Sequence, residues 1–279
     1  MKRKILFFDI DGTLIGKSMT LQPKNMEAIQ VARENGYLLF ICTGRALTSV
    51  YPSIRELGFD GYITSAGSII YINNQSVFEH YISADLLNKT LLLFGAQGIP
   101  FTLETKHALY QTSGVRSFFE KRDAKIANSN QELKRMKETK RNRAHVLNFD
   151  TYDFSIPVSK ITFVSTDKTR FEEIRGDLSN DFNIVLFSNE NDAFCNGELI
   201  DKNCTKGDAL KYVCDYYDIP LSESIAFGDS MNDYEMISTA GVSVVAKSAP
   251  EALLEMADYT FDDPDNDGIY NVMKQIDLI

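Results

Sequence analysis

The chain has 279 residues, 44% of them hydrophobic and 24% charged, which is material for about two packed domains or one core with a large insertion. Disorder and fibrous structure are thereby excluded. Lys and Arg total 29 against 39 Asp and Glu, and the formal net charge of -10 argues against nucleic acid or an anionic membrane as a partner of the whole chain.

The basic start Met1-Lys2-Arg3-Lys4 leads into an apolar run that Asp9 stops at once, too short for the core of a signal peptide. No stretch approaches the ~18 apolar residues needed to span a bilayer. The four cysteines (Cys42, Cys195, Cys204, Cys214) have no CxxC spacing, and only His80, His107 and His145 could join them, so a zinc site is not expected. A cytoplasmic protein with reduced thiols is the expectation.

In chain order, the apolar run over 5–10 predicts a strand, 25–35 a helix closed by Gly36, 37–42 a strand, 45–57 a helix ending at Gly58, and 62–65 a strand. Alternating strand and helix imply a parallel sheet covered on both faces, with an active site at carboxyl strand ends. The pattern then changes. Residues 68–72 and 76–81 flank Asn73-Asn74-Gln75 as a hairpin. A helix over 84–96, two strands within 100–111, a polar basic stretch, a strand at 160–165, a helix over 170–178 and a strand at 183–187 follow. From 205 the alternation resumes, with a helix to about 217, a strand at 224–227, a helix over 231–240 and a strand at 242–245. The expected fold is α/β: a doubly wound, Rossmann-like parallel-sheet core formed by 1–82 and 190–279, with an α/β domain inserted at 83–189.

The first strand ends in Asp9-Ile10-Asp11-Gly12-Thr13, with two carboxylates two residues apart. Alone, Asp11-Gly12 is as well explained by a turn. However, the strand at 224–227 also runs into acids, Asp229-Ser230-Met231-Asn232-Asp233, and a doubly wound sheet brings such ends together. Asp9, Asp229 and Asp233, completed by backbone oxygen and water, form the hard oxygen set preferred by Mg²⁺. Two further segments supply donors for phosphoryl oxygens: Thr43-Gly44-Arg45 at the second strand end, and Lys206-Gly207 in the first turn of a helix. Taken singly, each is weak, since a lone lysine on a helix is usually solvated.

These segments, Asp9-Ile10-Asp11-Gly12-Thr13-Leu14, Thr43-Gly44-Arg45, Lys206-Gly207-Asp208-Ala209-Leu210 and Gly228-Asp229-Ser230-Met231-Asn232-Asp233, resemble in kind and order the haloacid dehalogenase superfamily. The nearest branch is the Cof-type, sugar-phosphatase-like one, and the insertion resembles its α/β cap. The resemblance implies a Mg²⁺-dependent phosphomonoester hydrolase acting on small phosphorylated metabolites, sugar phosphates first, through an aspartyl phosphate. It implies Asp9 as nucleophile and Asp11 as acid and base, with Asp11 also offering its backbone carbonyl to the metal. Thr43 and Lys206 would hold the phosphoryl group, together with Gly12, Gly44 and Asn232. Asp229 would ligate the metal directly, and Asp233 would bind the metal or its water.

Two departures stand out: Ala66-Gly67 where the branch commonly has Asn-Gly, and Lys247-Ser248-Ala249 where it has Gly-Asn-Ala. Asp267-Gly268 resembles a closing structural turn. Within the insertion, 121–143 carries nine basic residues and three acidic ones; a solvated helical face explains such a run better than a funnel for anionic substrates. His107 and Tyr110 are expected to pack rather than to bind. The alternatives are a phosphomutase or phosphotransferase of the same superfamily, which needs a second phosphate clamp, and a non-catalytic receiver-like phosphate sensor, which needs neither Asp11 nor the insertion. A P-loop reading of the run from Gly12 to Ser18 fails because Asp11 stands where its first glycine belongs. No specific protein partner is expected.

Overall fold

A computed structural model describes residues 4–127, 146–188 and 192–279. The chain forms two compact units, Met1–Glu79 with Cys204–Ile279, and His80–Asn203.

Strands are numbered along the chain. The first unit holds β1 (Ile5–Phe8), β2 (Leu38–Cys42), β3 (Gly61–Thr64), β4 (Ile69–Ile72), β5 (Gln75–Glu79), β12 (Ser224–Gly228), β13 (Val242–Ala246) and β14 (Tyr259–Phe261). They form one eight-stranded sheet in the order β14-β13-β12-β1-β2-β3-β4-β5. Pairing is parallel from β14 to β3, and antiparallel where β4 and β5 fold back as a hairpin. Alternate residues of β1 and β2 enter different cores: Leu6, Phe8, Leu39 and Ile41 on one face, Ile5, Phe7, Leu38 and Phe40 on the other. Burial on both faces explains why these strands read as unbroken apolar runs. Phe8 stacks on Phe227 of β12 at 4.4 Å. Each such fully buried ring contributes about 1.5–3 kcal/mol. This fixes the register of β1 against β12 (Phe8↔Phe227), so the acids following each strand emerge side by side.

The second unit has β6 (Phe101–Thr105), β7 (Leu109–Gln111), β8 (Val146–Asn148), β9 (Val158–Ser165), β10 (Phe182–Leu186) and β11 (Cys195–Asp201), in the sheet order β10-β11-β9-β6-β7-β8. The helices Ala84–Gln97 and Lys168–Ser179 pack on it through Phe94, Phe171 and Phe163, the last two stacked at 4.2 Å. Tyr110 lies in this core, edge-on to Tyr152 at 5.0 Å, while His107 is exposed. Facing away from Ile161 and Leu199, Lys160 of β9 is buried against Glu198 at 2.5 Å and Glu104 at 3.5 Å, an ion cluster that no sequence pattern announced.

Four expectations need correction. No continuous helix covers 45–57; a 3-10 turn (Leu47–Ser49) precedes a short helix (Pro52–Arg55). Pro52 is the cause, since its ring clashes with the preceding turn and drives Tyr51 to ψ 138. The second unit extends to Asn203 rather than 189, because β11 is hydrogen-bonded between β10 and β9. Its sequence, Cys-Asn-Gly-Glu-Leu-Ile-Asp, lacks the apolar run that marks a strand. His107 is exposed rather than packed, because it sits in the tight turn between β6 and β7. Finally, the polar stretch after Gln111 begins as the helix Ser113–Ala127. Most of the basic run at 121–143, with His145, lies outside the described residues. No described helix is long and apolar enough to cross a membrane.

Candidate active site

The site is built at the carboxyl ends of β1, β2 and β12, within the first unit. Asp9 follows β1, and its N–H donates to the carbonyl of Phe227 at 3.0 Å, extending the β1–β12 pairing by one residue. From the far side of the sequence comes the helix Lys206–Tyr216. Its start is fixed by a capping box: the Thr205 hydroxyl accepts from the Asp208 N–H, and the Asp208 carboxylate accepts from the Thr205 N–H. Lys206 is therefore the first helical residue, a place where the helix dipole disfavours a cation. It is also 1% exposed. Two carboxylates offset both penalties, for its Nζ donates to Asp9 Oδ1 at 2.7 Å and to Asp233 Oδ1 at 2.6 Å. Burial opposes the ammonium, but Asp233 and Asp9 together raise its pKa well above the ordinary lysine value. Asn232 Oδ1 stands 3.4 Å from the same nitrogen.

Asp233 also organises its own loop. Its Oδ2 accepts from the N–H groups of Asp229 (3.0 Å) and Ser230 (3.2 Å), so both its oxygens are engaged. Asp229 is turned the other way, accepting from the Thr13 hydroxyl at 3.1 Å. It lies against Gly12, where a Cβ would come within 2.1 Å of Asp229 Oδ2. With φ +93 as well, Gly12 is required twice, for its backbone and for the approach of Asp229.

Asp9, Asp229 and Asp233 each present a carboxylate oxygen within 4.8 Å of the others. Three carboxylates and one ammonium leave an excess of two negative charges in a solvent-poor place. Burial raises the pKa of Asp9 well above the carboxylate range; Lys206 works against that rise, and Asp233, Asp229 and Asp11 add to it. Burial, then Asp233, pushes Asp229 up to about 7, although Thr13 and Lys206 pull it down. Three hard oxygen donors within reach of one another, whose charge burial and mutual repulsion disfavour, are the donor set of a small divalent cation, and these residues fit Mg²⁺.

Asp11 does not join this cluster. Its carboxylate is 45% exposed and takes two hydrogen bonds from Arg45, Nε to Oδ2 at 2.5 Å and Nη2 to Oδ1 at 2.6 Å. Arg45 is held in turn by the carbonyl of Ser49 (3.1 Å) and the hydroxyl of Tyr51 (2.8 Å), with its guanidinium 4.4 Å from the Tyr51 ring centre. Burial disfavours its charge, but the bonds to Asp11 raise its pKa above the usual arginine value. The sequence placed Arg45 in a motif without giving it a role, and Tyr51 carried no signal. Thr43, at the end of β2, is 1% exposed; its N–H donates to Ile63 and its Oγ accepts from the Arg45 N–H at 3.2 Å, across Gly44. The described structure thus gathers Asp9, Lys206, Asp233, Asn232 and Asp229, seats Gly12 against them, puts Thr43 and Gly44 on the neighbouring strand end, and holds Asp11 on Arg45.

All four cysteines are free and buried. Burial lifts the Cys42 thiol far above its ordinary value, the Cys195 thiol to about 11 and the Cys214 thiol to about 12, so these three are not thiolate nucleophiles.

With this geometry in hand, the sequence matches the haloacid dehalogenase-like hydrolases over residues 6–273. The chain belongs to that family. This hydrolase is 25% identical over 296 residues to the putative phosphatase YkrA of Bacillus subtilis, across 100% of both chains. A solved haloacid dehalogenase-like hydrolase from B. subtilis superposes with TM-score 0.83 at 25% identity, covering 98% of this chain and 99% of that one. The subclass IIB sugar phosphatase BT4131 shares the fold, with TM-score 0.77 at 24% identity over 99% of this chain and 100% of its own. Family and relatives agree with the enzyme class expected from the four motifs, a phosphatase.

Proposed function

We propose that this hydrolase cleaves small phosphorylated metabolites, sugar phosphates foremost, by transferring the phosphoryl group to Asp9 and then to water. The observation that carries the reading is the double engagement of buried Lys206, 2.7 Å from Asp9 and 2.6 Å from Asp233, beside Asp229. That ammonium fixes the orientation of Asp9 and sets a positive charge beside it, where a phosphoryl group would arrive.

Asp9 attacks phosphorus in line, the ester oxygen leaves, and an aspartyl phosphate forms. Lys206 neutralises charge on the phosphoryl oxygens and fixes the orientation of Asp9, while the Thr43 hydroxyl donates to the same oxygens; Gly12, whose N–H is given to the Ile15 carbonyl at 2.8 Å, and Gly44 let the backbone come close to the phosphoryl group. Asp233 and Asn232 hold Lys206. Asp11 donates a proton to the leaving alcohol and then takes one from the water that attacks the intermediate. A carboxylate that accepts two guanidinium N–H groups has no proton to give, so the acid step requires Asp11 to part from Arg45. Asp9, Asp229, the carbonyl of Asp11 and Asp233 or its water would hold Mg²⁺, which when bound would supply charge neutralisation between anionic attacker and anionic ester. In this reading the second unit selects the leaving group, and the protein works in the cytoplasm.

The test is Asp9→Asn with p-nitrophenyl phosphate, Mg²⁺ and an EDTA control. The variant is expected to fold and to lose turnover entirely, and the wild type to stop in EDTA. Wild-type rates in the variant would remove Asp9 from its role. A panel of phosphorylated metabolites then ranks the substrates.

A further inference from the structure

The turn that follows β3 contains three successive residues with positive φ: Ser65 (50), Ala66 (60) and Gly67 (112). For Ser65 and Ala66 the left-handed region is strained, because Cβ crowds the following carbonyl. Neighbouring segments hold the turn in place. The Ser65 N–H donates to the Arg45 carbonyl at 2.9 Å, and the Ala66 N–H donates to the Thr43 carbonyl at 3.0 Å. On the other side, the Cys204 thiol donates to the Gly67 carbonyl at 3.3 Å. Gly67 packs so closely on the start of the Lys206 helix that a Cβ would lie 2.4 Å from the Thr205 carbonyl oxygen and 3.0 Å from the Lys206 nitrogen. The turn is thus wedged between the segment carrying Thr43 and the segment carrying Lys206.

Within it, the hydroxyl of Ser65 is buried and has no hydrogen-bond partner. The residue is 1% exposed, as enclosed as Thr43 and Lys206. A buried hydroxyl with no partner has given up its water and received nothing in exchange. Ala66 and Gly67 offer no polar side chain, so Ser65 Oγ is the one side-chain donor of the turn. Strain and an unmatched donor, adjacent to each other and touching both phosphate-holding segments, are two local penalties that the fold itself does not recover.

We propose that Ser65 is a phosphate-binding residue of this hydrolase, its hydroxyl donating to a non-bridging oxygen of the phosphoryl group held by Thr43 and Lys206. The proposal rests on the phosphatase reading above. It accounts for the unmatched donor, which finds its acceptor only in substrate, and for the strained turn, which the segments carrying Thr43 and Lys206 hold between them.

The experiment compares Ser65→Ala and Ser65→Gly with the wild type, using p-nitrophenyl phosphate turnover and inorganic phosphate as competitive inhibitor, with Mg²⁺ present. Thermal unfolding of the free proteins is measured in parallel. A hydrogen bond to a charged acceptor is worth about 1.5–3 kcal/mol, so KM and the inhibition constant for phosphate are expected to rise about tenfold or more in both variants. The free variants are expected to melt at or above the wild-type temperature, since each removes a buried unmatched group and Gly also relieves strain. A merely structural hydroxyl gives the opposite pattern. Phosphate constants within twofold of wild type, or a lower melting temperature in Ser65→Ala, would overturn the proposal. Failure of the wild type itself to hydrolyse the ester or bind phosphate would instead overturn the phosphatase reading.

Discussion

Replacing Asp229 by Asn tests the electrostatics of the acid cluster. In the metal-free protein the carboxyl of Asp229 is pushed from 3.8 to about 7, first by burial and then by Asp233. Below pH 3.8 it carries its proton both folded and unfolded and has no effect on stability. Between pH 3.8 and about 7 the unfolded chain gives up the proton while the fold retains it, so stability falls as pH rises, and above 7 the full penalty remains. The penalty is on the order of 4 kcal/mol at pH 8 and less than half of that at pH 5. Asn has the same shape, can still accept from Thr13, and carries no charge.

Chelator-treated Asp229→Asn should therefore melt above chelator-treated wild type, by on the order of 10 °C at pH 8 and much less at pH 5. Mg²⁺ should raise the wild-type melting temperature more at pH 8 than at pH 5, because the ion competes with a proton, and should barely move the variant. The assay is thermal unfolding at both pH values, with Mg²⁺ and with EDTA. A wild type equally stable at pH 5 and 8 in EDTA, with a variant no more stable than it, would refute the reasoning.

Other perturbations act on separate parts of the site. Lys206→Met leaves Asp9 and Asp233 buried without their cation and should cost about 3–5 kcal/mol in denaturant unfolding as well as all turnover; an unchanged unfolding midpoint would mean that the ion cluster is not as buried as described. Gly12→Ala drives a Cβ to within 2.1 Å of Asp229 Oδ2 and should abolish the Mg²⁺-dependent rise in melting temperature, which calorimetry in a metal titration checks. In single-turnover release of the alcohol, which precedes the water step, Asp11→Asn should slow alkyl phosphates by about 10²–10⁴-fold and p-nitrophenyl phosphate much less, since a good leaving group needs little protonation; equal losses on both in that step would contradict an acid role.

Much of the site was legible because its parts lie next to strong local signals. β1 and β12 are unbroken apolar runs ending in acids, and Lys206 follows a threonine cap, so strand ends and helix start could be read directly. What sequence alone could not give was direction. Nothing in Asp11-Gly12 tells that its carboxylate leaves the cluster for Arg45, because that depends on a partner brought close only by the β1–β2 pairing. Ser65 was invisible for the same reason, its meaning being the lack of a partner in three dimensions. In the fold, Pro52 was a visible breaker outweighed by an apparent helical period across 45–57. β11 was missed because an interior strand of the second sheet can hold Asn196, Gly197 and Glu198 when neighbouring strands pair their backbone and Lys160 meets one oxygen of the Glu198 carboxylate. The winning effects there are tertiary, hydrogen bonding and a buried ion pair, and periodicity does not encode them.

The central claim is that a carboxyl oxygen of Asp9 receives the phosphoryl group before water does. Two in-line displacements at phosphorus restore its configuration, whereas a single attack by water inverts it. The decisive measurement is the stereochemical course of hydrolysis of a phosphate ester made chiral at phosphorus with sulfur and oxygen isotopes. Net retention is predicted, and inversion would contradict the account.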